Sequence, residues 1–352
     1  MTDPVQQALD VVDEDLFTHR PDGRIVTQTT TARVIADMLR WLDVPPGARV
    51  LEIGTGSGFS AALLAQIVGV GGQVVTVDVD AALTDRATTL FEKTGIAERV
   101  TAIIGDGVRG AVEHEPYDRI VAWAQASHLP EAWIRQARPG AVIVTPVDLA
   151  PLAGHVGGLL RVQVDEERGV VAEGLRKGGF VRMHDEVLTD WLLPPRHVDA
   201  HAEREGQVWA LSAVWLRAAD EGAGDRLLRF AEQASMRPSG ERLLEDGEDA
   251  DDLRAWLLAT QPEGLTTALL GGMSWHVGAS TPDGLAALGE EQELVSAGSL
   301  DAAGLLIGWI AAWRAAGRPG WANLRPRLLP ISRGWHVRAA LDVTSPTRKE
   351  KG

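Results

Sequence analysis

Three glycines spaced two apart stand in Leu51-Glu52-Ile53-Gly54-Thr55-Gly56-Ser57-Gly58-Phe59, between an apolar run and an Ala/Leu-rich stretch. Glycine lets a backbone turn tightly and approach a ligand closely, and a strand-to-helix turn is where open α/β sheets hold one. The spacing is GxGxG. Position 59 is Phe, where a dinucleotide fold wants a third glycine to seat a helix over a pyrophosphate. A ligand with methionine and ribose parts but no phosphate suits this loop, which points to S-adenosylmethionine. Its expected holders are Glu52, Gly54, Thr55, Gly56, Ser57 and Gly58. Asp78 ends the next β-branched run, roughly 20 residues on, where a carboxylate takes ribose hydroxyls. Asp106, beside Gly107 in Gly105-Asp106-Gly107, follows a third run and is placed to accept from an adenine amino group. One glycine loop is weak evidence, because ordinary turn glycines look the same. The loop, Asp78 and Asp106 in order on consecutive strand ends are strong evidence.

The surrounding sequence supplies elements in the order such a site needs. Strand-like runs at 49–53, 73–78, 100–104, 119–123 and 141–145 alternate with helix-like stretches at 60–68, 81–94 and 131–137. That rhythm predicts an α/β, Rossmann-like domain with a mostly parallel, doubly wound sheet. A strand pair at 158–164 and 170–173 follows, then a last strand at 179–183. Pro194-Pro195 marks a break, so the boundary is expected near 186–200. This gives a first domain of residues 1–185 and a smaller C-terminal α+β domain of 200–345. Within the second, 207–216 and 334–341 read as strands, and 225–234, 252–260 and 299–316 as helices, the last capped by Ser299 and ended by Gly317. Nine of the 12 tryptophans lie beyond residue 190, in keeping with a second core.

With 352 residues and 45% apolar content, each half can build a core. Cysteine is absent, which excludes disulfides and thiolate metal sites. His197 and His201 are four apart, but a metal site needs a further ligand, so no metal is expected. No apolar run reaches the roughly 18 residues of a membrane span. The acidic N-terminus lacks a secretory pattern, so a cytoplasmic location is expected. The net charge of −15 is spread over both halves and repels a phosphate backbone, which disfavours nucleic acid as a partner.

Residues 50–59 (VLEIGTGSGF) resemble the first motif of the protein-L-isoaspartate O-methyltransferases. So do Ile104-Gly105-Asp106-Gly107, Tyr117-Asp118-Arg119-Ile120, Leu129-Pro130-Glu131 and Pro146-Val147, and the layout of 159–173 and Phe180-Val181 is similar. The resemblance covers about residues 5–184. It implies an S-adenosylmethionine-dependent carboxyl O-methyltransferase acting on an aspartyl or isoaspartyl residue of a peptide. Family members carry Ile-Ser-Gln-Pro ahead of the glycine loop, with the serine hydroxyl beside the substrate carboxylate. The stretch Val26-Thr27-Gln28-Thr29 is matched to it here, which makes Thr27 the expected catalytic orienter and Gln28 a substrate contact. A helix cap is an equally compatible role for Thr27 and for Thr29 to Thr31. The family's small, apolar substrate loop is replaced by Trp123-Ala124-Gln125-Ala126-Ser127-His128. The expected peptide contacts there are Trp123, Gln125, Ser127 and His128.

The extra domain is a further departure. It is similar to extended relatives found with ribosomally made peptides (lanthipeptides, lasso peptides, graspetides), which esterify one chosen aspartate. The ester then closes to an aspartimide that can open to isoaspartate. The resemblance therefore implies a constrained precursor peptide as substrate, with a repair enzyme bearing an added domain as the alternative. A cofactor-binding protein without activity is the third reading, against which the intact motifs count. Trp275-His276, Trp335-His336 and the acidic stretch 241–252 could serve peptide binding, although strand alternation and a solvated loop explain them as well.

Overall fold

The computed structural model describes residues 3–27, 29–167, 169–188, 193, 196–236 and 240–342; Gln28 lies outside them. The chain divides into two compact units. One comprises residues 1–148, 158–189 and 328–337, the other 149–157, 190–327 and 338–352. The sequence-based limits, 1–185 and 200–345, do not contain the two exchanges at 149–157 and 328–337.

The first unit opens with helices α1 (Pro4–Val11), α2 (Glu14–Thr18) and α3 (Ala32–Leu42). Strands and helices then alternate: β1 (Arg49–Ile53), α4 (Phe59–Val68), β2 (Gln73–Asp78), α5 (Ala81–Lys93), β3 (Val100–Ile104) and β4 (Tyr117–Ala122). After them come the two-residue β5 (Leu129–Pro130), α6 (Glu131–Gln136), β6 (Ala137–Asp148), β7 (Gly157–Val164) and β8 (Val170–Lys177). The sheet order is β3-β2-β1-β4-β6-β7-β8. The β3/β2, β2/β1, β1/β4 and β4/β6 pairs are parallel, and β7/β8 is antiparallel. Strand order reverses between β1 and β4, so a crevice opens at their carboxyl ends, the place where such sheets bind ligands.

Helix α4 is buried at every position but Gln66, which suits its sequence FSAALLAQIV. Its outer side is covered by the N-terminal segment: Val5, Ala8 and Phe17 share one core with Leu63, Leu64 and Phe59. Phe17 packs on Phe59 and Phe91 with ring centroids 6.5 and 6.3 Å apart. Phe59, which takes the place of a dinucleotide fold's third glycine, is thus a core residue. Burying one such ring contributes about 1.5–3 kcal/mol. Helix α3 is amphipathic, burying Ile35, Ala36, Met38, Leu39 and Leu42 at helical spacing.

Residues 179–183 form no strand. They make a single parallel bridge, Gln125 with Arg182, in which Gln125 N donates to Val181 O at 2.7 Å and Met183 N to Gln125 O at 2.8 Å.

The second unit holds the antiparallel sheet β14-β13-β12-β11-β10-β9. Its strands are β9 (Ala200–Arg204), β10 (Gln207–Ala213), β11 (Leu265–Leu270), β12 (Trp275–Thr281), β13 (Gly284–Leu288) and β14 (Leu294–Gly298). Its helices are α7 (Ala223–Met236), α8 (Ala250–Thr260) and α9 (Leu300–Ala315), the last capped by the Ser299 hydroxyl. β11 to β14 carry no legible alternation because β11 and β13 are buried almost throughout. His201 lies in β9, so it shares no helix face with His197. Two last strands, β15 (Leu324–Ile331) and β16 (Gly334–Leu341), form a sheet with β5. Leu129 pairs with Trp335 and Pro130 with Gly334, antiparallel. The chain's end thereby holds the segment that follows the expected substrate loop. Among the described residues no helix is long and apolar enough to cross a membrane.

Candidate active site

The carboxyl ends of β1 and β2 make the floor of an open cleft. Its walls come from the glycine loop, Val77 to Val79, Gly107, Trp123 and Ala124, Thr29 and Thr30, and Val181 to His184. Gly54 and Gly56 adopt positive φ angles of 95° and 50°. Gly54 N donates to Val77 O at 2.7 Å, which ties the loop to β2. A Cβ on Gly56 would meet no atom within 4 Å, so its backbone faces open space. Gly107 is needed for close approach, because a Cβ there would collide with Ile53.

Asp78 stands where β2 ends. Its Oδ2 accepts from Gly56 N at 2.9 Å and its Oδ1 from Asp80 N at 3.0 Å. One N–H on each oxygen leaves acceptor capacity for a diol. An open glycine backbone, a carboxylate at the second strand end and the apolar flanks Ile35, Ile53, Val77 and Val79 fit S-adenosylmethionine. Thr55 and Ser57 are buried supports of the loop: Thr55 Oγ1 bonds Thr76 Oγ1 at 2.8 Å, and Ser57 Oγ accepts from Phe59 N. Gly58 packs under α5, where a Cβ would lie 3.0 Å from that of Ala87. Asp106 does not line the cleft. Its Oδ1 caps a short turn through Val108 N at 2.9 Å, and its Oδ2 is 3.5 Å from Arg109 Nε.

Glu52 is fully buried behind the wall. Its Oε1 accepts from Ser60 Oγ at 2.6 Å and from the Trp123 indole at 2.8 Å, while Oε2 has no hydrogen bond of good geometry. Burial pushes its carboxyl up to about 7, against the opposing effect of the bonds from Ser60, Thr76 and Trp123. Glu52 therefore fixes Trp123 in the cleft wall; it does not itself line the cleft.

Thr27 is exposed and does not line the cleft, whereas Thr29 and Thr30 do. The cause is helix register: α3 starts at Ala32 with Thr31 as N-cap, and the two residues just before the cap turn toward the glycine loop. Thr29 Oγ1 donates to Val26 O at 2.6 Å, so of the two threonines that line the cleft this one's hydroxyl is already engaged. In the loop after β4, Trp123 and Ala124 line the cleft. Gln125 is buried and donates to Asp148 Oδ1 at 2.6 Å. Ser127 Oγ lies 2.9 Å from His128 Nδ1, and the His128 ring meets His336 edge-on, with centroids 6.4 Å apart; these three line the neighbouring β5/β16 surface. The sequence reading missed Thr30, Arg182, Met183 and His184. Only their apposition to the glycine loop reveals them.

The topology and the cleft define a Rossmann-like methyltransferase. Residues 3–184 match the family model of protein-L-isoaspartate(D-aspartate) O-methyltransferase, and the chain belongs to that family, which uses S-adenosylmethionine. It is 41% identical over 128 residues to a protein-L-isoaspartate O-methyltransferase of Methanopyrus kandleri, covering 36% of this chain and 56% of that one. It is 36% identical over 176 residues to one of Methanococcus maripaludis, covering 50% of this chain and 80% of that one. The chain thus spans about half the length of the first of these relatives. A solved protein-L-isoaspartate O-methyltransferase shares the fold along 96% of this chain and 94% of its own, with a TM-score of 0.50 and 17% identity.

Proposed function

We propose that this protein transfers a methyl group from S-adenosylmethionine to the carboxylate of an aspartyl or isoaspartyl residue in a peptide. The observation that carries the reading is the Gly56–Asp78 contact at the mouth of the strand-order reversal, beside the hydroxyl of Thr30. When bound, S-adenosylmethionine supplies an already electrophilic methyl, so the hard chemistry is the cofactor's. A carboxylate of ordinary pKa, near ~3.9, is ionised at neutral pH, and no general base is required. The chain's task is placement and exclusion of water. Asp78 and the glycine loop hold the cofactor; Trp123, fixed by Glu52, walls the cleft; Thr30, in the role expected of Thr27, donates a hydrogen bond that orients the acceptor. In the ester product, the next backbone amide nitrogen attacks the ester carbonyl and methanol leaves with the amide proton. That closure is intramolecular and favoured by proximity.

We infer further that the substrate is a constrained, ribosomally made peptide. The polar, tryptophan-walled substrate loop supports this, as does the surface beside it formed by half-buried Ser127 and His128 and exposed His336. The reading that competes is repair of isoaspartyl damage by an enzyme with an added domain, which the relatives' names favour. Turnover with linear isoaspartyl peptides and with ring-constrained aspartyl peptides separates them. Intact mass reports the ester as the gain of one methylene and the imide as the loss of one water. Preferential methylation of the linear isoaspartyl peptide returns the protein to repair. Methylation of neither, with cofactor bound, removes both.

A further inference from the structure

The last two strands gather positive charge on one exposed face, in a chain whose net charge is −15. β15 ends at Ile331 and β16 begins at Gly334, so a two-residue turn joins them. That turn sets Arg327 directly opposite Arg338, and the bond from Asp342 N to Asn323 O at 2.8 Å keeps the same register to the far end of the pair. Side chains alternate along a strand, so Arg325, Arg327 and Arg338 share the exposed face, while Leu324, Val337 and Ala339 are buried behind it. Arg325 is paired with Asp342 at 3.0 Å. Arg327 and Arg338 have no ion pair and no side-chain hydrogen bond among the described residues, so their donors are unengaged. Like charges directly opposite one another repel. A guard against edge pairing is served by either sign, so it does not account for positive charge set against positive charge.

Arg338 also lines an apolar pocket, and every residue of this site belongs to the second unit. Leu152 and Leu265 are the buried floor of the pocket, and Val214 stands 50% exposed in its wall. The Trp215 ring beside it is held in place, since its indole donates to Ser280 Oγ at 2.9 Å. A preformed apolar wall with few polar groups is what ligand pockets share. Glu263 is the acid of this lining, and together with Asp342 it leaves the three arginines in excess. We propose that this face of the second unit binds an acidic segment of a peptide, with carboxylates on Arg327 and Arg338 and a neighbouring apolar side chain against Trp215. For the identity of the partner it rests on the peptide-substrate reading above; it names the chemistry of a part of the peptide away from the methylated residue. Charge complementarity selects this occupant. Each guanidinium offers a planar fork of donors that matches a carboxylate, and a bound carboxylate removes the repulsion between the two arginines. A second copy of the chain, also at −15, and a nucleic acid with its repeating phosphates are both repelled by the rest of the molecule.

The test uses the full chain and three short fluorescein-labelled peptides. One has glutamates flanking a leucine, one has glutamines in place of the glutamates, and one has glycine in place of the leucine. Glutamate keeps the probe free of any aspartyl residue that the methyl-transfer cleft could take. Fluorescence anisotropy should show the glutamate–leucine probe bound roughly 10-fold more tightly than the glutamine form and about 5-fold more tightly than the glycine form. Its affinity should fall as salt rises from about 50 to 200 mM, because exposed charge pairs are screened. Arg327→Gln combined with Arg338→Gln should abolish the preference for glutamate, with melting temperature and S-adenosylhomocysteine affinity as in the wild type. Val214→Asp, at a half-exposed position, should abolish the preference for leucine and gives a second, independent reading. A glutamate preference that survives the double substitution, a leucine preference that survives Val214→Asp, or a wild type that does not bind the glutamate–leucine probe overturns the proposal. Tighter binding of a short oligouridylate than of any peptide also overturns it and assigns the face to nucleic acid. Methyl transfer to linear isoaspartyl and ring-constrained aspartyl peptides is followed separately. Transfer without probe binding strikes this site alone; probe binding without transfer to either peptide strikes the enzymatic reading and leaves a peptide-binding face.

Discussion

Thr27 and Thr30 are one helical turn apart in sequence, yet only Thr30 lines the cleft. Replacing Thr30 by Ala should lower kcat/KM for the peptide by roughly 10- to 100-fold, the effect of losing one hydrogen bond to a charged group, with cofactor affinity unchanged. Thr27→Ala should behave as wild type. Turnover and calorimetry on the two variants check this, and equal losses would show that the segment acts through its backbone. Glu52 makes a separate prediction. Its folded-state carboxyl sits near about 7, above the ordinary 4.5, so folding favours the neutral form. The associated stability is complete below the ordinary value and is lost as pH rises through about 7, by an amount on the order of 3 kcal/mol. Glu52→Gln keeps the acceptor for Ser60 and Trp123 and cannot ionise. Between roughly pH 4.5 and 7.5 the wild type should lose melting temperature relative to this variant; parallel profiles in thermal scans would contradict the burial argument.

At the scale of elements, the site depends on where strands stop. β1 and β2 end at Ile53 and Asp78, and the loop that follows β1 is folded onto β2 through Gly54 N and Gly56 N. On the substrate side, the loop 123–128 runs into β5, which has only two residues and is held by β16. Gly334 has a φ of 140°, and a Cβ there would collide with the Leu129 carbonyl. Gly334→Val should therefore separate β16 from β5 and release Ser127 and His128. The expected result is a KM for peptide raised about 5- to 10-fold, with cofactor affinity held, because Gly54, Gly56 and Asp78 are untouched. Kinetics together with cofactor titration read this out. A matching fall in cofactor affinity would mean that the disturbance reaches the whole sheet.

At the scale of the molecule, the residues proposed to hold the cofactor all lie before residue 110, but the unit that contains them is completed by residues 328–337. A fragment of residues 1–189 retains every group that lines the cleft and lacks the strand that pairs with Leu129 and Pro130. It should take up S-adenosylhomocysteine and fail to methylate peptide, with early protease cleavage around residues 123–131. Full peptide activity in the fragment would show that β16 serves only stability.

The sequence by itself determined the parallel sheet, the glycine loop and Asp78, because these depend on local signals: β-branched runs, glycine spacing and the strand-to-helix turn. It also determined α9, through the Ser299 cap and the Gly317 stop. It could not place Thr30, since a run of three threonines carries no mark of which one faces a cleft until the start of α3 sets the register. It could not show that Gln125 turns inward to Asp148, or that Arg182 stands in the wall, because the first depends on a contact 23 residues along the chain and the second on a bridge between segments more than fifty residues apart. β11 and β13 were illegible for a different reason, as strands buried on both faces lose the alternation that identifies them. Tertiary structure decided these points because contacts between distant segments are fixed by packing of the whole sheet, not by the preferences of the residues that make them.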